Sequence, residues 1–238
     1  MQRHNFGRQR GAALLILIML LGLSMSGLLM HTFAATDQAP RERATLLTMA
    51  QAREALLGYA ARTGRLPRPA ASAVDGRESA RACQSADDCT GFLPWVTLGV
   101  NGTDHWGNLL RYSVSPAFTN DHVNTVEAVA DKTVLTRRAG NLVYRAGQAA
   151  CTVDDPCAPV ILVSSGFRNL GVSARGIPRA NTGRTNVDEL QNNLASNNFV
   201  TRASTGAADA AGGEFDDLIT WIPLRQLYQR MNAAGVLR

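Results

Sequence analysis

The sequence predicts an α+β protein. We expect a long N-terminal helix, with a membrane half and an amphipathic half, to pack on an antiparallel β-sheet, and a short C-terminal helix to end the chain. Three observations predict this: an uncharged apolar run near the N-terminus, a following segment with helical spacing of apolar residues, and short apolar segments separated by turn residues over most of the 238 residues. We divide the chain into a leader (1–11), a transmembrane helix (12–35), an extracytoplasmic amphipathic helix (36–64) and a globular head (65–238).

The first element is the apolar run. Residues 12–29 carry no charge, and as a helix they would extend about 27 Å, close to the thickness of a bilayer core. Three interpretations compete: a secretory signal cut near Thr32–Ala34, an uncleaved signal anchor, and a leader that is cut on its cytoplasmic side while the helix is kept. We favour the third, because the apolar run is long for a secretory signal and the basic leader ends at Gly11.

The charge of the chain is concentrated in that leader. The formal net charge is +5, and more than half of it comes from the leader's arginines. Basic residues before an apolar helix predict a cytoplasmic N-terminus and an exported remainder. Nothing in the charge pattern indicates a nucleic-acid surface. The leader's arginines are Arg3, Arg8 and Arg10.

The junction between leader and helix resembles that of a known family. Arg8-Gln9-Arg10-Gly11 followed by Ala12-Ala13-Leu14-Leu15 is similar to the processing site of type IV pilin-like proteins, especially the minor pseudopilins of type II secretion systems. The resemblance implies that prepilin peptidase cuts after Gly11 and methylates Ala12. Most members carry glutamate at the fifth residue after the cut, where this chain has Ile16. In the family, this glutamate pairs in the membrane with the N-terminal amine of the neighbouring subunit, so a subunit without it fits poorly into the repeating shaft. The difference therefore implies an initiator or tip subunit.

The cysteines predict disulfides. The two pairs, Cys83–Cys89 and Cys151–Cys157, have equal spacing and polar surroundings, and the chain has four cysteines in all. An even count in an exported domain is typical of disulfides. Of three possible pairings we favour the two local ones, because a small loop closes easily. Zinc is the alternative, but it prefers more closely spaced pairs.

The remaining elements follow in order. An amphipathic helix is predicted over Arg41–Thr63, ended by Gly64, and a long loop over 65–91. Loop 166–214, with a helical turn near Val187–Leu194, is predicted as a second long loop. The predicted strands are Leu109–Val114, Val123–Val129, Thr133–Thr136, Leu142–Tyr144, Pro159–Ser164 at the sheet centre and Phe215–Ile222, and a helix starts at Pro223.

A turn in the head carries a second resemblance. Asp104-His105-Trp106-Gly107-Asn108 is similar to the Asp-Pro-Trp-Gly-Asn turn of major pseudopilins, with histidine in place of proline. We expect a structural role, in which Trp106 covers the helix end and Gly107 allows the backbone to turn. A catalytic use of Asp104 with His105 would need a nucleophile that the sequence does not supply.

A third resemblance concerns calcium. Major pseudopilins hold a calcium ion near the C-terminus between a Ser-x-Gly segment and an acid before a final tryptophan. Here Ser164–Gly166, Asp188, Asp216 and Asp217 before Trp221 resemble that arrangement, which implies calcium as a cofactor. The residues alone also fit acids that cap turns or face solvent, and we favour that reading.

These observations predict a structural subunit that is not an enzyme. We expect a minor pilin or pseudopilin whose partners are other pilin or pseudopilin subunits, prepilin peptidase and inner-membrane lipid, with no nucleic acid among them. We place it in the bacterial inner membrane as a single-pass protein with its head in the periplasm. The alternative is a periplasmic binding module, anchored or secreted, that uses loop 166–214.

Overall fold

A computed structural model describes residues 9–119 and 122–237, with the side chains of the first helix described at 14–21 and from Gln38 onward. Residues 1–8 of the leader lie outside the described residues, and Gly11 and Ala12 lie in the first helix at positions whose side chains are not described. The chain forms two compact units, one up to Arg43 and one from Ala44 onward.

The helices and strands have the following bounds. The helices are α1 Gln9–Thr63, α2 Trp95–Leu98, α3 Val187–Asn193 and α4 Leu224–Ala233, with a 3-10 turn at Pro116–Phe118. The strands are β1 Thr90–Phe92, β2 Arg111–Val114, β3 Thr133–Arg138, β4 Asn141–Ala146, β5 Val160–Ser164, β6 Asn198–Val200 and β7 Leu218–Ile222.

The first unit contains the beginning of α1. Pro40 lies inside the helix, although proline lacks the N–H donor of a regular helical hydrogen bond. The side chains of Leu14–Leu21 are all exposed. Within the described part of the chain, no helix is both long and apolar enough to cross a membrane.

The second unit begins with the amphipathic part of α1. Met49, Leu56 and Ala60 are buried there at intervals of about one or two turns and form one apolar face. Gly64 ends the helix in the left-handed conformation, with φ +74°, and its N–H donates to the Ala60 carbonyl at 2.9 Å. This helix end is as the sequence predicted.

A four-stranded antiparallel sheet lies at the centre of the second unit. Its order is β1-β2-β5-β7, so the apolar strand β5 is internal, as predicted. Because side chains alternate along a strand, Tyr112 and Leu162 join the core that includes α1, while Ile161 and Val163 face the opposite side. The sheet therefore has an apolar core on each face.

A second sheet covers that opposite face. Its order is β4-β3-β6, and Val134 and Phe199 from it pack with Ile161 and Val163 in one apolar cluster. The pairing of β3 with β4 is antiparallel, whereas that of β3 with β6 is parallel. The second unit thus has three layers: helix, four-stranded sheet and three-stranded sheet.

The predicted fold class is wrong in its specific form. The chain is α+β, but it has two sheets where one antiparallel sheet was expected, and one strand pair is parallel. The expected membrane half of the N-terminal helix is not found, since no described helix is long and apolar enough to span. The predicted strand at Val123–Val129 is also wrong, because these residues form turns and irregular backbone.

Candidate functional site

Three buried carboxylates meet at one end of the central sheet. They belong to Glu189 on α3 and to Asp216 and Asp217, just before β7. Their relative exposures are 1%, 4% and 5%, and one oxygen from each lies within 4.8 Å of the others. We call Glu189, Asp216 and Asp217 the acidic triad.

The short helix α3 positions one side of the triad. Asn186, Glu189 and Asn192 are spaced by three residues, so they lie on one face of the helix. Asn192 donates from Nδ2 to the Asp217 carboxylate at 2.8 Å and to the Val200 carbonyl at 2.9 Å. Its Oδ1 accepts from the Val200 N–H at 2.7 Å. These bonds attach α3 to both β6 and the triad.

Glu189 is held by neutral donors. Its Oε2 accepts from Nδ2 of Asn186 at 2.7 Å and from Nδ2 of Asn169 at 3.2 Å. Its Oε1 accepts from the backbone N–H of Asp216 at 2.9 Å. The carboxylate therefore has a fixed orientation, and its negative charge is not neutralised by these contacts.

Asp216 is held on one oxygen only. Its Oδ2 accepts from the backbone N–H groups of Phe167 and Arg168 at 2.8 and 2.9 Å. Its Oδ1 is buried and has no hydrogen-bond partner. A buried carboxylate oxygen without a donor is unfavourable unless a proton or a cation satisfies it.

The triad's charge is not balanced by direct ion pairs. Among the described residues, no ion pair involves Glu189, Asp216 or Asp217, although Arg111 attracts Asp217 electrostatically. Burial, and then the close approach of the Glu189 carboxyl group, raise the pKa of Asp216 to about 7. Burial also raises the pKa of Asp217 well above its usual value.

This arrangement can hold a hard divalent cation. Carboxylate oxygens are the ligands that calcium prefers, and a cation would supply the positive charge that the triad lacks. Asp216 Oδ1, which has no donor, is available as a ligand. The residues therefore fit a cation, which the triad would hold through one or more oxygens of each carboxylate.

The structure brings together two of the three predicted metal ligands and separates the third. Asp188 is buried, but its carboxylate forms ion pairs with Arg137 at 2.7 Å and Arg202 at 2.8 Å. The neighbouring residue Glu189 joins Asp216 and Asp217 in its place. The spacing of Asn186, Glu189 and Asn192 is the signal by which the sequence could have indicated that face.

The predicted structural turn is connected to the triad. Asp104 Oδ1 accepts from the N–H groups of Trp106 and Asn108 at 2.9 and 2.8 Å, and its Oδ2 accepts from the Ser164 hydroxyl at 2.7 Å. Asn108 donates to the Gly166 carbonyl at 2.7 Å. The segment that starts at Ser164 then continues to the two N–H groups that bind Asp216.

Two glycines have special conformations in this region. Gly107 has φ +85°, which the turn requires. Gly166 has φ +62°, and a Cβ atom there would lie 2.5 Å from the Asp216 carbonyl oxygen. A side chain at 166 would therefore displace Asp216.

The aromatic residue of the turn has an aromatic neighbour. The ring of Trp106 lies beside that of Phe167, with centroids 6.3 Å apart. His105 contacts α1: its N–H donates to the Thr45 hydroxyl at 3.1 Å, and its Nε2 lies 3.4 Å from the Thr48 hydroxyl. A histidine at this position thus fixes the turn to the helix.

Both predicted disulfides are present. Cys83 pairs with Cys89 and Cys151 with Cys157, with Cα–Cα distances of 5.0 and 5.5 Å. The first joins two residues of the core around α1, and the second closes the loop between β4 and β5. Disulfides of this kind are typical of proteins in the periplasm or outside the cell.

Comparison with known protein families, curated proteins and solved structures gave no match.

Proposed function

We propose that this chain is an exported structural subunit of a filament, a minor pilin or pseudopilin, and not an enzyme. It would be processed after Gly11 and would join other subunits through its apolar N-terminal residues. The observation that supports this most directly is the run Leu14–Leu21, in which eight consecutive apolar side chains are 56–73% exposed. An exposed apolar surface of this kind marks a region that contacts other apolar groups.

The partners follow from that surface. A helix that is apolar on all sides suits close packing with helices of the same type, where van der Waals contacts supply the attraction. We therefore expect other pilin or pseudopilin subunits as partners and prepilin peptidase as the processing enzyme. Residence at the inner membrane before assembly, with the head in the periplasm, belongs to this proposal, and the two disulfides support the periplasmic part.

The mature N-terminus tests the proposal. The full chain should be expressed with a prepilin peptidase, purified, and analysed by mass spectrometry. We expect a chain that starts at N-methylated Ala12. Gly11→Leu should block the cut, whereas Gly7→Leu, the matched change at the other leader glycine, should not. An intact Met1 or a start near Ala35 would contradict the proposal.

We also propose that the acidic triad binds calcium with a structural role. The supporting observation is that three buried carboxylates have no direct ion pair among the described residues, and that Asp216 Oδ1 has no donor. The pKa of Asp216, about 7, leaves part of this carboxyl protonated near neutral pH. A cation there would replace that proton, and it would join α3 to the start of β7. Calcium-dependent stability is the test, and its variants are given in the Discussion.

A further inference from the structure

Lys132 has an unusual position for a lysine. It is the only lysine among the 24 lysine and arginine residues of the chain, and it is fully buried. Lysine side chains are almost never buried completely unless a specific partner holds them. The proposed filament function does not use this residue, so its burial needs its own explanation.

The backbone brings Lys132 next to Asn197. Lys132 immediately precedes β3 and Asn197 immediately precedes β6, and these strands pair in parallel with Thr133 opposite Asn198. The Thr133 N–H donates to the Asn197 carbonyl at 2.8 Å. On its other side, Lys132 exchanges two backbone hydrogen bonds with Ala158, at 2.8 and 3.0 Å. The relative position of the two residues is therefore fixed by the strands.

The side chains are in contact as well. Lys132 Nζ donates to Asn197 Oδ1 at 2.6 Å. Because a C=O bond is about 1.2 Å long, the amide carbon lies within about 3.8 Å of the amine. That distance is close to the separation of roughly 3–3.5 Å at which two reacting atoms are held in productive complexes.

An acid stands beside the amine. Asp131 Oδ1 lies 3.3 Å from Lys132 Nζ, and the Ser115 hydroxyl donates to the same oxygen at 2.5 Å. Asp131 also donates from its backbone N–H to the Ser115 hydroxyl at 2.9 Å. The carboxylate is thus held where it can accept a proton from the amine and return it to a leaving group.

The environment shifts the lysine toward its nucleophilic form. Burial lowers the pKa of Lys132, and the negative charge of Asp131 opposes this only in part. A neutral amine has the free electron pair that attack on a carbonyl carbon requires. An arginine at this position would stay charged and could not react in this way.

We propose that Lys132 and Asn197 form an intramolecular isopeptide bond, with Asp131 as the proton carrier. The Nζ electron pair attacks Asn197 Cγ, the Nζ–Cγ bond forms, and the Cγ–Nδ2 bond breaks. Asp131 takes a proton from Nζ and delivers it to Nδ2, which leaves as ammonia. No oxidant, reductant or other reactant is needed.

The bond would have a structural effect on a short, parallel strand pair. β3 and β6 share three registered residue pairs in parallel pairing, which is slightly less stable per residue than antiparallel pairing. A covalent link directly before both strands would fix their register and close residues 132–197 into a ring. The second disulfide lies inside that ring.

A lysine-specific protease tests the proposal on the unaltered chain. The exported, oxidised protein should be denatured, reduced and digested with an enzyme that cuts only after free lysine. A chain with a free Lys132 is cut after residue 132 into two separate fragments. We expect a chain that stays whole, with an intact mass lower by one ammonia than the mass calculated for the mature, reduced chain. Complete cleavage after Lys132, or resistance without that mass loss, would overturn the proposal.

Controls separate the bond from other sources of ammonia loss. Succinimide formation at Asn101-Gly102 gives the same change in mass, so Asn101→Ala should leave the mass loss and the resistance in place. Asn197→Ala should restore both the calculated mass and cleavage after Lys132. Trypsin should give a branched peptide that joins residues 112–137 to residues 185–202.

Asp131→Asn tests the proton carrier. We expect the cleavable fraction of newly made protein to fall at least ten times more slowly in this variant than in the unaltered chain. Equal rates in the two proteins would exclude Asp131 from the reaction, and the digestion of the unaltered chain would still decide whether the bond exists.

Discussion

Glu78 shows how one partly buried side chain can join several parts of the fold. Its carboxylate accepts from Arg65 at 2.5 and 3.2 Å, from the Arg68 N–H at 2.9 Å and from the Tyr59 hydroxyl at 2.9 Å. Burial alone would raise the pKa of Glu78, but the hydrogen bonds, led by that from Arg65, outweigh it and lower the pKa. Ionised Glu78 therefore stabilises the segment between α1 and β1.

The sign of this shift predicts acid sensitivity. Because the pKa is lower in the folded state, the stabilisation is complete above about pH 4.3 and is lost as the pH falls through the folded-state pKa. We expect Glu78→Gln to reduce the free energy of unfolding by about 1–3 kcal/mol at pH 7. The variant should also lose less stability than the unaltered protein between pH 5 and pH 3, a range set by those pKa values.

Urea denaturation at several pH values measures this effect. Glu54→Gln is the matched control, because Glu54 pairs with Arg230 on the surface, where the side chains are 56% and 53% exposed. We expect the control to change stability by less than about 1 kcal/mol. Equal pH dependence of the Glu78 variant and the unaltered protein would contradict the role given to Glu78.

Substitutions at two adjacent acids on α3 distinguish a calcium ligand from a neighbouring residue that only stabilises the fold. A ligand at 100 times its Kd adds about 2.7 kcal/mol of stability, and we expect calcium to raise the Tm by several degrees. Glu189→Gln should abolish that rise because it removes a carboxylate of the triad. Asp188→Asn should lower the Tm, since Arg137 and Arg202 lose their partner, but should keep the rise. The measurement is thermal unfolding with calcium and with chelator. If Asp188 were the ligand, Asp188→Asn would abolish the calcium-dependent rise in Tm and Glu189→Gln would keep it.

The sequence could indicate the acids of this site but could not choose between the two on α3. Asp188 and Glu189 are neighbours in sequence, and a helix directs their side chains about 100° apart. The choice depends on Arg137 of β3 and Arg202 beyond β6, which the fold brings to Asp188 from distant positions. Asp216 and Asp217 were indicated by the resemblance, because they stand shortly before Trp221.

At the scale of elements, patterns with a strong local signal were predictable and short polar ones were not. β5 has five buried residues, and its apolar sequence indicated an internal strand. β6 has only three residues, Asn198–Val200, within a polar segment that was predicted as a loop. Its strand conformation depends on pairing with β3, which is a distant contact. The second sheet could therefore not be predicted from local sequence patterns.

A substitution in β6 tests the contribution of that sheet. Phe199 is 1% exposed and lies in the apolar cluster between the two sheets. We expect Phe199→Ala to lower the free energy of unfolding by about 3–5 kcal/mol, because it leaves a cavity there. Leu194→Ala is the matched control, since Leu194 is 55% exposed in the same segment and should cost under about 0.5 kcal/mol. Urea denaturation midpoints of the two variants give the comparison, and equal midpoints would mean that β6 contributes little to stability.

At the scale of the whole molecule, the chain separates into a unit with exposed apolar side chains and a unit with its own core. The residues of both apolar clusters lie at Met49 or later in the sequence. The sequence shows an uncharged apolar segment near the N-terminus, but composition could not decide how much of it would form a membrane-spanning helix. The described helices contain none that is long and apolar enough.

Removal of the first unit should separate association from folding. We expect residues 44–238 to unfold at the same urea concentration as the full chain in detergent, because the deletion removes no residue of either apolar cluster. The shortened protein should also be monomeric in sedimentation experiments, whereas the full chain should associate once detergent is withdrawn, since Leu14–Leu21 then contact water. A lower unfolding midpoint for the shortened protein would mean that the first unit stabilises the second. Association without residues 1–43 would assign self-assembly to the head, because the apolar N-terminal run would then not be needed for it.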